Sequence, residues 1–138
     1  MNDIVLHKKE SIEWCIAQIR SYYAQSGELP FADDFMRQDA IAINLQRACE
    51  QAIDLANHTI KTRKLGLPSA SRESFRLLSG AGIIPAELAG ELEKMVAFRN
   101  LLVHDYQRLD VAAMIIIIES HLDDLLKYTN LIVLEFQR

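Results

Sequence analysis

Four polar side chains with complementary chemistry lie within eight residues of the sequence: Arg99, Asn100, His104 and Tyr106. Arginine is a planar, permanently charged donor, and it suits a phosphate group better than lysine does. Histidine takes up and releases a proton near neutral pH, because its ordinary pKa is about 6.5. The segment is therefore a candidate site for binding a phosphate and moving a proton beside it.

Arg99 departs from the apolar pattern around it. On a helical wheel it falls in the middle of a stripe formed by Leu88, Leu92, Met95, Val96, Leu102 and Val103. Burying an unpaired guanidinium costs on the order of several kcal/mol, so this side chain needs a carboxylate partner or a cleft that admits an anion. Two interpretations stay open: an ion pair with Glu50 or Asp54 of an earlier helix, or a phosphate ligand.

The histidine lies on a different side of the same predicted helix. Arg99 and His104 diverge by about 140° on a straight helix, so one chain alone hardly brings them to one atom. We expect a second copy to contribute, so that the arginines and histidines of two protomers line one groove. Asn100 shares the face of His104 at a spacing of four, and Tyr106 returns to the side of Arg99.

Glycine and proline clusters at 27–30, 66–68 and 80–85 mark the breaks between the elements that must position these residues. The apolar spacing between the breaks predicts five helices: about 4–23, about 34–65, from Ser71 to Gly80 or Gly82, from Pro85 to about Tyr106, and from Asp110 to the C-terminus. We expect Ser71 and Asp110 to cap their helices with side-chain oxygens. The predicted fold is an all-α, antiparallel bundle of about five helices in one domain, residues 1–138.

The isoleucines at positions 115–118 leave the fifth predicted helix without a polar side at that point. We expect neighbouring helices or a second chain to enclose them. The apolar run that contains them, Val111 to Ile118, is eight residues long, whereas a membrane-spanning helix needs about 20. The N-terminus becomes charged before an apolar signal region develops, so we expect a cytoplasmic protein without a membrane segment.

Composition limits the possible functions. The chain has 138 residues, of which 50% are hydrophobic and 25% charged, with five glycines and three prolines, as expected for one folded helical domain. Its formal net charge of −4 disfavours non-specific adhesion to a polyanion, so any contact with nucleic acid must be local. Cys15 and Cys49 lie in apolar-periodic stretches and are expected to be buried thiols.

The string RNLLVHDY, from Arg99 to Tyr106, resembles a known motif: Arg, four residues, His, any residue, Tyr. This is the motif of the HepT toxins, which belong to the HEPN superfamily of helical ribonucleases. The stretch LQRACEQAIDLANHTI, from Leu45 to Ile60, is similar to the second helix of that family, and residues 74–106 are similar to its third and fourth helices. No motif position departs from the family pattern.

The resemblance implies the toxin of a two-gene toxin–antitoxin module that cleaves RNA as a homodimer, with the active cleft between protomers. Because RNA carries its own nucleophile, the 2′-hydroxyl, we expect no metal or other cofactor. Arg99 and His104 would be the catalytic pair and Asn100 the polar neighbour of the arginine. Tyr106 would accept AMP from a cognate minimal nucleotidyltransferase of the MntA type, which neutralises the toxin.

Other functions fit the sequence less well. A non-catalytic helical module that holds a nucleotide or a nucleotidyltransferase fits the acidic charge, but the Arg and His together argue against it. A metal site at Glu50, Asp54 and His58 has suitable spacing but lacks the Glu-x-x-His pairs of di-metal bundles. A DNA-binding regulator is disfavoured because no helix-turn-helix with a basic recognition face is found.

Two further groups of polar residues have only weak functional interpretations. Glu119, His121 and Asp124 are interpreted as a solvated face of the last helix. The basic group of Lys61, Arg63 and Lys64 lies at a helix C-terminus, where cations are favoured by the helix dipole, although it could also steer RNA phosphates.

Overall fold

The computed structural model describes residues 3–25, 27–104 and 109–138, and of His104 it describes the backbone only. Within these residues the chain forms six α-helices and one 3₁₀ turn, Phe31–Asp33. The helices are α1 (Asp3–Ala24), α2 (Phe35–Arg63), α3 (Ser71–Gly80), α4 (Ala86–His104), α5 (Val111–Ser120) and α6 (Leu122–Gln137). The prediction of an all-α fold is confirmed, with six helices in place of about five.

The first two helices form an antiparallel hairpin. Lys8, near the start of α1, contacts Asp54 in the second half of α2 at 3.4 Å. At the other end, the buried Arg37 donates hydrogen bonds to the carbonyls of Gln25 and Leu29 in the connection between the helices. Its guanidinium also binds the Asp34 carboxylate at 2.9 Å, and this contact holds the pKa of that carboxyl below its usual range. Arg37 thereby fixes the turn that sets the register of α2 against α1.

Tyr128 of α6 is fully buried in the core. Its ring meets Phe75 of α3 edge to face, with centroids 5.7 Å apart, and its hydroxyl donates to the carbonyl of Ala52 in α2 at 2.8 Å. Burial raises the pKa of the Tyr128 hydroxyl well above its ordinary value. The side chain therefore stays a neutral donor and links three helices.

We expect Tyr128→Phe to lower the free energy of unfolding by about 1–2 kcal/mol, because the Ala52 carbonyl loses its buried partner while the ring packing stays. Urea denaturation followed by circular dichroism measures the change. An unchanged denaturation midpoint would show that the hydroxyl contributes nothing to this junction.

The predicted fifth helix is wrong as one element, because it is divided at His121. The His121 N–H donates to the Ile117 carbonyl at 2.9 Å, and this bond closes the last turn of α5. The His121 carbonyl accepts from the Asp124 N–H at 3.1 Å, and this bond opens the first turn of α6. No glycine or proline marks this break. It is stabilised by the His121 side chain, whose Nδ1 lies 3.0 Å from Asp124 Oδ2, and by two acidic residues in the first turn of α6.

Of the two predicted helix caps, one is confirmed and one is wrong. Asp110 accepts a hydrogen bond from the Ala113 N–H, as predicted, and Asp34 caps α2 in the same way by accepting from the Arg37 N–H. Ser71 does not cap α3. The cap position is Ala70, and the Glu73 carboxylate instead binds the Ser69 N–H and hydroxyl. The predicted hydroxyl cap is thus replaced by a carboxylate from inside the helix.

The isoleucine run of α5 is only partly enclosed. Ile117 and Ile118 are buried, whereas Ile116 is more than half exposed. An apolar groove between α4 and α5 lies at this side and is lined by Phe98, Leu101, Ala113 and Ile116, among others. No helix among the described residues combines the length and apolarity that a bilayer crossing requires.

Candidate active site

α4 carries the candidate site and is anchored by one apolar side. Leu88, Leu92, Met95, Val96 and Leu102 are buried, as the helical wheel predicts. Val103 is about half exposed, so the buried side narrows in the last turn of the helix. Arg99 lies just before this turn, at the boundary between core and solvent.

The Arg99 guanidinium makes two side-chain hydrogen bonds and is still partly exposed to solvent. Its Nη2 donates to Glu50 Oε1 of α2 at 3.2 Å, and its Nη1 donates to Asn100 Oδ1 at 2.8 Å. The Arg99 side chain is 23% exposed and the Glu50 side chain 38%. Arg99 Nε is buried and has no hydrogen-bond partner among the described residues. The two interpretations from the sequence are thus compatible, since an ion pair exists and the cation still reaches solvent.

Glu50 is itself held from its own helix. Gln46, one turn earlier, donates from Nε2 to Glu50 Oε1 at 3.3 Å, and this is the oxygen that also accepts from Arg99. Gln46 is not among the residues predicted from the sequence, although a glutamine four residues from a glutamate is a detectable signal. Asp54, the other predicted partner of Arg99, pairs with Lys8 on the surface instead.

A buried thiol lies behind this ion pair. Cys49 is fully buried, and its Sγ lies 3.8 Å from the carbonyl oxygen of Met95. Burial raises the pKa of the Cys49 thiol to about 12, against the opposing effect of the Arg99 charge. The group is therefore protonated at neutral pH, which excludes it as a nucleophile. Cys15 is also buried and free, so both thiols are as predicted.

The histidine and tyrosine of the motif are described only in part. His104 is the last residue of α4, about 7.5 Å further along the helix axis than Arg99. Its side chain and the whole of Tyr106 lie outside the described residues. The structure thus places Arg99 and Asn100 together, and the roles of His104 and Tyr106 stay predictions.

An exposed apolar strip leads to the ion pair along α2. Met36 is 85% exposed and Ile43 is 50% exposed, and both share the face of Glu50 because they precede it at spacings of seven. Beside Ile43 lies a groove of about 240 Å³ between α2 and α4, lined by Asp39, Ala42, Ile43, Gln46 and Leu102. The half-exposed Val103 of α4 adds apolar surface one turn after Arg99.

The candidate metal site on α2 does not form. Glu50 binds Arg99, Asp54 binds Lys8, and the His58 ring stacks on Phe136 of α6 with centroids 5.7 Å apart. These three side chains make separate contacts, so their regular spacing does not produce a common ligand set.

Glu119 is exposed and His121 and Asp124 are part-buried, as expected for a solvated face, but each also makes a contact that was not predicted. Glu119 accepts a hydrogen bond from the Tyr23 hydroxyl of α1 at 2.7 Å, which raises the pKa of that hydroxyl. His121 Nδ1 lies 3.0 Å from Asp124 Oδ2 and 3.4 Å from Glu91 Oε2 of α4. These contacts tie the junction between α5 and α6 to its neighbours, which sequence spacing alone does not reveal.

The basic group at the end of α2 is also partly engaged. Arg63 donates to the carboxylate of Glu135 at 3.1 Å and to its main-chain carbonyl at 3.0 Å. Lys61 and Lys64 remain exposed. Arg63 therefore joins α2 to α6, and only the two lysines are available to steer a polyanion.

The family model described as Ribonuclease HepT-like matches residues 12–132 of the chain. The chain belongs to the ribonuclease HepT-like family. An mRNA nuclease HepT from Shewanella oneidensis is 40% identical over 132 residues, which is 96% of this chain and 98% of the relative. The motif between Arg99 and Tyr106 thus predicted the family correctly.

Solved structures of HepT-like proteins share the fold. The tri-AMPylated HEPN toxin of Shewanella oneidensis in complex with its MNT antitoxin is 40% identical, with a TM-score of 0.89, and the match covers 96% of this chain and 98% of that one. A toxin–antitoxin structure with AMP-PNP matches at 39% identity and a TM-score of 0.89, over 96% and 99% of the two chains. The protein is a ribonuclease and a toxin of this family, and the family favours the enzyme over a non-catalytic binding module.

Proposed function

We propose that the protein cleaves RNA as a homodimer in the cytoplasm, with Arg99 and His104 as the catalytic pair and Asn100 as the supporting residue. The observation that carries the proposal is the state of Arg99. Its guanidinium is fixed by Glu50 and Asn100, yet it reaches solvent and keeps a buried Nε without a partner among the described residues. An arginine held in this way can bind a phosphate without first changing its side-chain conformation.

RNA brings its own nucleophile to such a site. The 2′-hydroxyl oxygen attacks the adjacent phosphorus, the bond to the 5′-oxygen breaks, and the products are a 2′,3′-cyclic phosphate and a free 5′-hydroxyl. One histidine takes the proton from the 2′-hydroxyl, and a second gives a proton to the departing oxygen. Arg99 stabilises the extra negative charge that develops on the phosphoryl oxygens. All three tasks are within the reach of side chains, so the mechanism requires no metal or other cofactor.

A dimer supplies the second histidine. Val103 exposes apolar surface one turn after Arg99, and Ile43 and Met36 expose more along α2 in the direction away from Glu50; a second copy packed on this surface would bury it. Such packing would bring the partner's motif to the same groove. A dimer would also bring an arginine and a histidine together, which one chain hardly does because its Arg99 and His104 diverge by about 140°.

The proposed partner is a cognate nucleotidyltransferase of the MntA type, by similarity to the AMPylated toxin in complex with an MNT antitoxin. We place the modification on the Tyr106 hydroxyl, two residues after the end of α4. An AMP group there adds a negative charge and a bulky base next to the motif. It would repel RNA and compete with it for Arg99.

A defined RNA tests the reaction. We expect the purified protein to cut it in the presence of EDTA, and a single 2′-deoxynucleotide at the scissile position to abolish that cut, because the nucleophile is gone. The same substitution one nucleotide away serves as the control and should leave the cut in place. Cleavage that survives at the deoxy position, or that needs an added divalent cation, would contradict the mechanism.

A further inference from the structure

The contact between Glu50 and Arg99 has two opposite consequences for a ribonuclease that uses Arg99. We propose that Glu50, oriented by Gln46, is a positioning residue that sets the angle of the Arg99 guanidinium while weakening its attraction for RNA. This inference rests on the proposed function and adds to it a residue that both orients Arg99 and weakens its attraction for RNA.

Geometry supports the positioning role. Glu50 Oε1 accepts from Arg99 Nη2 at 3.2 Å and from Gln46 Nε2 at 3.3 Å, so the carboxylate is held from both sides. Asn100 Oδ1 holds the other terminal nitrogen, Nη1, at 2.8 Å. Two anchors on two nitrogens fix the plane of a guanidinium. Because a guanidinium has five N–H donors, the two described bonds leave others free to meet a phosphate.

Exposure supports the restraining role. Glu50 is 38% exposed and Arg99 is 23% exposed, so water already reaches the pair and the carboxylate can give up its partner without being stranded in a dry interior. While the pair is intact, the negative charge of Glu50 offsets part of the attraction that Arg99 exerts on an approaching phosphate. A phosphate that binds the free N–H donors of Arg99 must therefore do so against the nearby negative charge of Glu50.

The two roles predict an unusual kinetic signature. Removing the Glu50 charge should strengthen RNA binding, because Arg99 is no longer neutralised, and should slow the chemical step, because the guanidinium is less well oriented. A residue needed only for folding would not improve binding. A residue that contacts RNA directly would weaken binding when it is removed.

The experiment uses full-length protein with two substrates: a cleavable RNA for kcat, and the RNA with a single 2′-deoxynucleotide at the scissile position for Kd. For Glu50→Gln we expect kcat to fall by about 3- to 10-fold, since an amide oxygen can still accept from Arg99, while Kd falls by about 3- to 10-fold. For Glu50→Ala we expect a similar fall in Kd and a fall in kcat of about 10- to 100-fold. Gln46→Ala should lower kcat a few-fold and leave Kd unchanged, because the Glu50 charge remains.

Asp54→Asn is the matched control. It removes the same charge from the same helix, one turn further on, where the side chain is exposed and paired with Lys8. Its kcat and Kd should stay within about two-fold of the wild type. A double variant gives a second readout: in an Arg99→Ala background, Glu50→Ala should cause no further loss of kcat, because its effect passes through Arg99.

The outcomes separate this inference from the proposed function. If the wild type fails to cut RNA, or Arg99→Ala cuts as fast as the wild type, the proposed function fails. If both results are as proposed but Glu50→Ala behaves like Asp54→Asn, or binds the deoxy RNA more weakly than the wild type, only the role of Glu50 is overturned.

Discussion

Arg99→Ala should lower the rate of RNA cleavage by about 100- to 1,000-fold, because removing one charge-stabilising donor from a transition state has an effect of that size. His104→Ala should lower it by about 100- to 10,000-fold through loss of proton transfer. The Arg99 variant should stay folded, since the Glu50 carboxylate it leaves behind is 38% exposed and can be hydrated. Initial rates on a defined RNA measure both effects, and thermal melting checks the fold.

A surface arginine provides the control for charge. Arg76 of α3 is exposed and pairs with Glu93, so Arg76→Ala removes the same charge away from the motif and should leave the rate nearly unchanged.

Mixing the Arg99→Ala and His104→Ala proteins tests the composite site, because a mixed dimer keeps one arginine and one histidine in different chains. We expect part of the activity to return. An Arg99→Ala protein that cleaves within a few-fold of the wild type would disprove the catalytic assignment.

Tyr106→Phe should abolish the attachment of AMP by the cognate nucleotidyltransferase, because the phenol oxygen that would attack the α-phosphate of ATP is missing. Intact-mass spectrometry after incubation with ATP and the partner enzyme measures the added AMP. Induced in cells, the variant should remain toxic beside the partner, whereas the wild type is neutralised. This effect is all-or-none, since no other atom of the phenylalanine ring can replace the hydroxyl.

Tyr22→Phe is the matched control for the modification. It removes a tyrosine hydroxyl from α1, outside the motif, and should accept AMP as the wild type does. A Tyr106→Phe protein that still gains AMP would place the acceptor at another side chain and would contradict the assignment.

The helices were predictable where the sequence marks their ends. Glycine and proline clusters separate α1 through α4, and aspartates cap α2 and α5, so local rules suffice there. The break at His121 was missed because no such residue marks it. It depends on a side-chain contact with Asp124 and on packing against Glu91, a residue 30 positions earlier. Contacts of this kind become visible only when the chain is folded.

The residue types of the candidate site were predictable from the sequence, but the contacts between them were not. An arginine in an apolar stripe requires a partner, and the periodicity of α2 narrowed that partner to Glu50 or Asp54. The choice between them depends on the crossing of α2 and α4, which the sequence does not encode locally. The same crossing brings Gln46 onto the oxygen that Arg99 uses. Residue types therefore reveal the chemistry, and tertiary packing decides which side chains share it.

The thiol beneath the site bears on how the toxin behaves under oxidative stress. Peroxides and disulfides attack the thiolate, and Cys49 is both fully enclosed and held in its protonated form, with a pKa of about 12. Oxidation of Cys49 is therefore expected to be slow as long as the helices around it stay packed.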